Sequence, residues 1–128
     1  MARAASKQNI KRTDMPFTSV RKRDGRVVPW EQAYITKAIY RAMKAAGEGD
    51  QGRDPVRVSG RVVQELAKKF PSTHVPAIEE IQDAVEESLI LLDFPKTAKA
   101  YILYRSRRAE VREKQKLVPA GVRKLVQE

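Results

Sequence analysis

Apolar residues recur along this chain at helical steps in four separate stretches, and at alternating steps in one short stretch ahead of them. Ile35, Ala38, Ile39, Ala42, Met43 and Ala46 fall on one face of a helix expected from Glu31 to Ala46, which Gly47 ends. The run Gly47-Glu48-Gly49-Asp50-Gln51-Gly52 reads as a flexible loop, and Asp54-Pro55 offers an N-cap followed by a proline at the first helical position. The second helix carries Val58, Val62, Val63, Leu66 and Phe70 on one face and stops before Pro71; Gly60 is a weak point within it. A third helix opens after Pro76 with Ile78, Ile81, Val85, Leu89 and Leu92. A fourth runs from Pro95 through at least Arg108, with Ala98, Tyr101, Ile102 and Arg105 on adjoining turns. Ahead of them, Val20-Arg21-Lys22-Arg23-Asp24-Gly25-Arg26-Val27-Val28-Pro29 predicts a β-hairpin over 18–29, because Asp-Gly supplies the positive φ that a tight two-residue turn needs.

With Asp24-Gly25 as the turn, Arg23 faces Arg26, while Val20, Lys22, Val27 and Pro29 share one side of the ribbon. Like charges across a strand pair repel, so the tip is poorly arranged unless an anion lies over it. A face that mixes apolar and cationic groups suits a base and its phosphates; a solvated basic turn is the plainer alternative. A ribbon this short must pack on the helices. The expected fold is therefore α+β, mostly α, with an N-terminal β-hairpin capping a small four-helix cluster.

The 128 residues suffice for one domain with tails. Residues 1–17 lack periodicity and are expected to form a flexible basic arm; the domain proper spans 18–110. Val118-Pro119-Ala120-Gly121 breaks the last helix, and 111–128 reads as a linker with the start of a following domain. No stretch approaches the roughly 20 apolar residues of a membrane span, and no secretory signal is present. A cytoplasmic location without membrane association is expected. The chain contains no cysteine, which removes disulfides and thiolate metal sites.

The net charge of +10 lies at the ends: residues 1–26 carry eight Lys or Arg against two acids, 96–128 ten against three, and 27–95 eight against eleven. Basic ends keep a helical nucleic-acid-binding module as the alternative function. No recognition helix or interleaved aromatic surface supports it. No GxxxxGK[ST] or GxGxxG loop is present. His74 has no second ligand nearby and reads as a surface connector residue. Glu79-Glu80 and Glu86-Glu87 are helix neighbours that point in different directions, which favours a solvated face over acid/base work. No catalytic or metal constellation assembles, so the chain itself is not expected to be an enzyme. In the fourth helix, Lys99, Tyr101, Tyr104, Arg105, Arg107 and Arg108 mix cations with aromatics. Lys99 is placed to face the hairpin, and Arg107 and Arg108 read as solvated.

Three motifs in order resemble the ATP-cone, a regulatory nucleotide-binding domain at the N-terminus of many ribonucleotide reductases. They are Val20-Arg21-Lys22-Arg23-Asp24-Gly25 with Trp30, Ile78-Glu79-Glu80-Ile81-Gln82-Asp83-Ala84-Val85-Glu86, and Ala98-Lys99-Ala100-Tyr101-Ile102-Leu103-Tyr104-Arg105. The resemblance implies a domain that binds ATP or dATP, with Mg2+ an optional companion, between hairpin and helices. It implies nucleotide contacts at Val20, Lys22 and Arg23, with Ile35, Gln82 and Lys99 lining or approaching the pocket. Where many members have lysine before the helix-one isoleucine, this chain has Tyr34, and Lys37 one turn on is the candidate replacement. The implied partners are the catalytic domain of a parent reductase and effector-dependent oligomer contacts, in the service of deoxyribonucleotide synthesis for DNA replication. ATP would leave the reductase active and dATP would switch it off. Lys116 to Glu128 resembles the approach to the catalytic domain in some reductases, which implies a piece of a longer enzyme. The family also occurs joined to a zinc ribbon in a transcriptional repressor, a form that the missing cysteines argue against.

Overall fold

A computed structural model describes residues 15–116; the expected N-terminal arm up to residue 14 and the break after Leu117 lie outside the described residues. Two strands, β1 (Ser19–Arg21) and β2 (Val27–Pro29), precede four helices, α1 (Gln32–Ala46), α2 (Asp54–Lys69), α3 (Ile78–Leu91) and α4 (Pro95–Lys116). α1 packs against α2 and α4, and α3 against α2 and α4, so the helices close a ring around one core. Ile39, Met43, Val58, Val62, Leu66, Val85 and Leu89 are among its fully buried members, with Phe17 from ahead of the hairpin. Those seven come from the apolar faces that periodicity marked. Ile102 departs from that expectation: it is 42% exposed, because the inward face of α4 turns through Thr97, Ala98 and Tyr101.

The hairpin differs from expectation in register. Its pairs are Ser19 with Pro29, Val20 with Val28 and Arg21 with Val27. Lys22 N–H donates to Arg26 O at 2.8 Å and Gly25 N–H to Lys22 O at 3.0 Å, with Gly25 at φ +91°. This is a three-residue loop, a type I turn followed by a left-handed glycine, rather than a two-residue one. One residue of slip moves every side chain of the second strand to the other face. Val28, not Val27 or Pro29, therefore lies across from Val20, and Arg26 lies across from Lys22 rather than Arg23. Burial agrees: Val20 is buried and Val28 half-buried, whereas Val27 is 50% exposed.

Three ties hold this small ribbon on the helices. Arg21 N–H donates to Pro76 O at 2.8 Å, pairing the strand edge with the connector before α3. Phe17, expected at the end of the arm, is instead buried and stacks on Trp30 at 5.9 Å between centroids. Trp30 Nε1 donates to Gln32 Oε1 at 2.8 Å, and Gln32 in turn donates to the Ser59 carbonyl on α2 at 3.0 Å.

Other local expectations shift for similar reasons. Asp54 is the first residue of α2 rather than its cap; its carboxylate accepts from Asp50 N–H at 2.7 Å and pairs with Arg57 at 3.3 Å. The glycine-rich loop before it is tied down through Glu48, whose carboxylate accepts from Thr97 N–H at 2.7 Å, Thr97 Oγ1 at 2.8 Å and Lys96 N–H at 3.4 Å. Glu48, from the loop after α1, thus caps the start of the neighbouring α4. Burial alone would push its carboxyl up, but the bonds from Thr97 and Lys96 bring it below the ordinary 4.5. His74 is half-buried, stacked on Phe70 at 4.2 Å with Nε2 at 2.8 Å from Glu80, not a free surface residue.

Two stability predictions follow from these contacts. A β-carbon built on Gly60, inside α2, meets nothing within 4 Å. Gly60→Ala should therefore stabilise the domain by about 0.5–1 kcal/mol, read from urea unfolding. Glu48→Ala should cost about 1 kcal/mol at neutral pH, the worth of a helix cap. A depressed carboxyl contributes fully above its unfolded value and loses that contribution as pH falls through the folded one. The gap between wild type and Glu48→Ala should hold above pH 4.5 and close below it.

Candidate functional site

The hairpin, α1 and α3 enclose an open groove of about 180 Å3. Val20, Lys22, Val28 and Pro29 line it from the hairpin, Ile35 and Ala38 from α1, and Ile78, Ile81, Gln82 and Val85 from α3; Tyr101 closes the end on α4. The i, i+3, i+4 and i+7 steps of α3 from Ile78 to Val85 put these four side chains on one face. Trp30, Glu31 and Tyr34 complete the lining between the hairpin and α1. Burial pushes the Tyr101 hydroxyl up to about 12, so it stays protonated.

Cations in and around this groove are not equivalent. The Lys22 ammonium makes no hydrogen bond or ion pair among the described residues. Arg23 does not stand unpaired at the tip: Nε lies 3.1 Å from Glu79 Oε2, and Nη2 donates to Gln82 Oε1 at 3.1 Å. Arg26 is answered locally by Asp24 at 2.7 Å, and the Arg26 backbone and guanidinium hold the Asp24 carboxyl below its ordinary range. The tip repulsion expected from Arg23 facing Arg26 is thus absent, through the changed register and these acids.

Four of the seven residues singled out from the sequence, Val20, Lys22, Ile35 and Gln82, line the one groove, and Arg23 bonds to Gln82 at its edge. Lys37 and Lys99 are exposed and lie outside the groove lining. Tyr34, not Lys37, projects to the groove from the first turn of α1, at 70% exposure. Sequence reasoning did not assign site roles to Ile78, Ile81 and Val85, although their helical spacing carried the signal; Tyr101 was noted only within the mixed cationic and aromatic set of the fourth helix. The paired acids of α3 are not a bare solvated face either. Glu79 meets Arg23, Glu80 accepts from Ala77 N–H at 2.9 Å, Glu86 meets Arg105 at 2.7 Å and Glu87 meets Lys69 at 2.7 Å.

A second groove of about 280 Å3 lies between α1 and α4, lined by Ala42, Ala45, Leu103 and Tyr104 with Arg41 and Arg107; Ala38 and Tyr101 form the wall between the two. It is larger but takes nothing from the hairpin. Among the described residues no group of three or more His, Cys, Asp or Glu could hold a metal ion, and no helix is long and apolar enough to cross a membrane.

The family model for the ATP cone domain matches residues 18–110, and this chain belongs to that family. Among similar proteins, the vitamin B12-dependent ribonucleoside-diphosphate reductase of Thermoplasma acidophilum is 42% identical over 102 residues, 76% of this chain and 13% of that protein. The anaerobic ribonucleoside-triphosphate reductase of Salmonella typhimurium is 36% identical over 109 residues, 85% of this chain and 15% of that protein. The ribonucleoside-diphosphate reductase subunit alpha of Chlamydia pneumoniae is 28% identical over 111 residues, 80% of this chain and 11% of that protein. The chain therefore spans a small part of these relatives' length.

The site residues are exposed enough to change without loss of the fold. Arg23 and Glu79 are 34% and 52% exposed, so Arg23→Ala should cost at most about 1 kcal/mol, and Lys22→Ala less. Both variants should keep wild-type helicity by circular dichroism, which makes them clean probes of binding.

Proposed function

We propose that this domain binds ATP or dATP in the groove between hairpin, α1 and α3, and serves as the allosteric regulatory domain of a ribonucleotide reductase. The observation that carries the reading is an apolar groove with one unpartnered lysine in its wall. Val20, Val28, Ile35, Ile81 and Val85 offer a desolvated slot for a flat base, and Lys22 stands where an anionic group would leave it. The volume of about 180 Å3 is below the ordinary range of ligand pockets, which begins near 300 Å3, so it suits the base and sugar with the phosphates at the rim. Phosphate contacts fall to Lys22 and, at the edge, Arg23, each a charge-assisted bond. A Mg2+ ion would travel with the phosphates.

Kinship with reductases supports the wider reading: a catalytic domain elsewhere in the parent protein, effector-dependent contacts between subunits, and a role in cytoplasmic deoxyribonucleotide supply for DNA replication. An effector regulates only through unequal affinity for two states of the parent. ATP and dATP differ by the 2′-hydroxyl, so discrimination between them belongs to groups near the sugar.

Calorimetric titration tests the reading. The 128-residue chain should bind ATP and dATP saturably. Lys22→Ala should weaken both about tenfold or more, as loss of a charge-assisted phosphate contact of roughly 1.5–3 kcal/mol requires. No heat with either nucleotide, beside salt-sensitive DNA binding, would favour a nucleic-acid-binding module instead.

A further inference from the structure

Arg23 ties the hairpin tip to α3 across the edge of the groove, through Glu79 at 3.1 Å and the groove-lining Gln82 at 3.1 Å. Its guanidinium is therefore engaged before any ligand arrives, whereas Lys22 is free. An anion that takes the Nε edge of Arg23 displaces the Glu79 carboxylate, which would otherwise be left beside a like charge.

The helix register supplies a second partner for that carboxylate. α3 and α4 are joined by the short turn of Leu92 to Phe94 and run antiparallel; Arg105 pairs with Asp83 at 2.8 Å and with Glu86 at 2.7 Å. Two turns toward the start of α3 from Glu86 stands Glu79, and two turns toward the end of α4 from Arg105 stands Arg112. Arg112 makes no hydrogen bond or ion pair among the described residues. Burial lowers its basicity, repulsion from Arg23 and Arg108 lowers it further, and attraction to Glu79 and Glu113 opposes them. The register and the charges that act on Arg112 put Arg23, Glu79 and Arg112 in one neighbourhood, with Glu113, which pairs with Lys116, as the other acid near Arg112.

We propose that Glu79 is a charge gate on the groove: it holds Arg23 in the free domain and passes to Arg112 on α4 when the anionic end of a ligand takes Arg23. This rests on the nucleotide reading above and adds a residue that decides which ligands profit from Arg23. A neutral nucleoside cannot displace Glu79, and a polyphosphate can. Because Arg112 sits in the distal half of α4, the exchange also gives that segment two arrangements that a ligand can bias.

The test is calorimetry on the 128-residue chain with ATP and adenosine as probes, using wild type, Glu79→Gln, Arg112→Met and the double variant. Glu79→Gln should bind ATP about fivefold tighter, the scale of a half-exposed ion pair, with adenosine unchanged. Arg112→Met should weaken ATP about threefold with Glu79 present and have no effect in the Glu79→Gln background, since it acts through that carboxylate. Unchanged ATP affinity in Glu79→Gln overturns the gate. Equal weakening by Arg112→Met in both backgrounds overturns the exchange, because Arg112 then touches the ligand itself. A wild-type chain that ignores ATP would sink the nucleotide reading instead, and amide exchange then still judges the latch. In the ligand-free protein Glu79→Gln should speed exchange at Lys22 to Arg26, and unchanged rates overturn the latch.

Discussion

The site exists only because a ribbon of three residue pairs is held against a helical ring. Such a ribbon cannot hold itself in water, since it buries too little surface on its own. What keeps it in place is a set of contacts with separate origins: Val20 and Val28 turned inward, the Arg21–Pro76 backbone bond, Phe17 stacked on Trp30, and the Trp30–Gln32–Ser59 chain to α2. The inward-turned Val28 would be lost if the turn closed one residue later, since the second strand would then present its other face. The three-residue loop at Arg23, Asp24 and Gly25 is therefore the constraint on which the groove, its lysine and its arginine all depend.

The ring beneath is stiffened by polar ties between elements distant in sequence. Glu48 closes the loop after α1 onto the start of α4, and Arg105 joins α4 to two acids of α3. Ala38 and Tyr101 form the wall that separates two grooves on this ring. The hairpin groove is the smaller, and it is the one to which the hairpin contributes, with Lys22 in its wall; the groove between α1 and α4 also has an apolar floor and carries Arg41 and Arg107 instead. What the hairpin brings, rather than volume, distinguishes the two.

The helices were legible because burial imposes a 3.6-residue period, and Ile39, Met43, Val62 and Leu89 obey it. The groove was legible in part, since Val20, Lys22, Ile35 and Gln82 do converge there. The hairpin register was not. Asp-Gly fits a two-residue turn and a three-residue turn alike, and only packing of Val28 against the helices selects between them. Glu48 and Glu79 were hidden for another reason: their partners, Thr97 and Arg23, lie far away in the chain, and a surface acid looks the same with or without one. Lys37 shows the converse limit. One turn along a helix from Tyr34 is close in sequence terms, yet the groove receives Tyr34 and not the lysine.

The central claim, that an adenine nucleotide occupies the hairpin groove, is tested most directly by intermolecular nuclear Overhauser effects from the adenine protons to methyl groups. The account predicts cross-peaks to Val20, Ile35 and Ile81, which line that groove. Cross-peaks to Ala45 and Leu103, in the groove between α1 and α4, would contradict it.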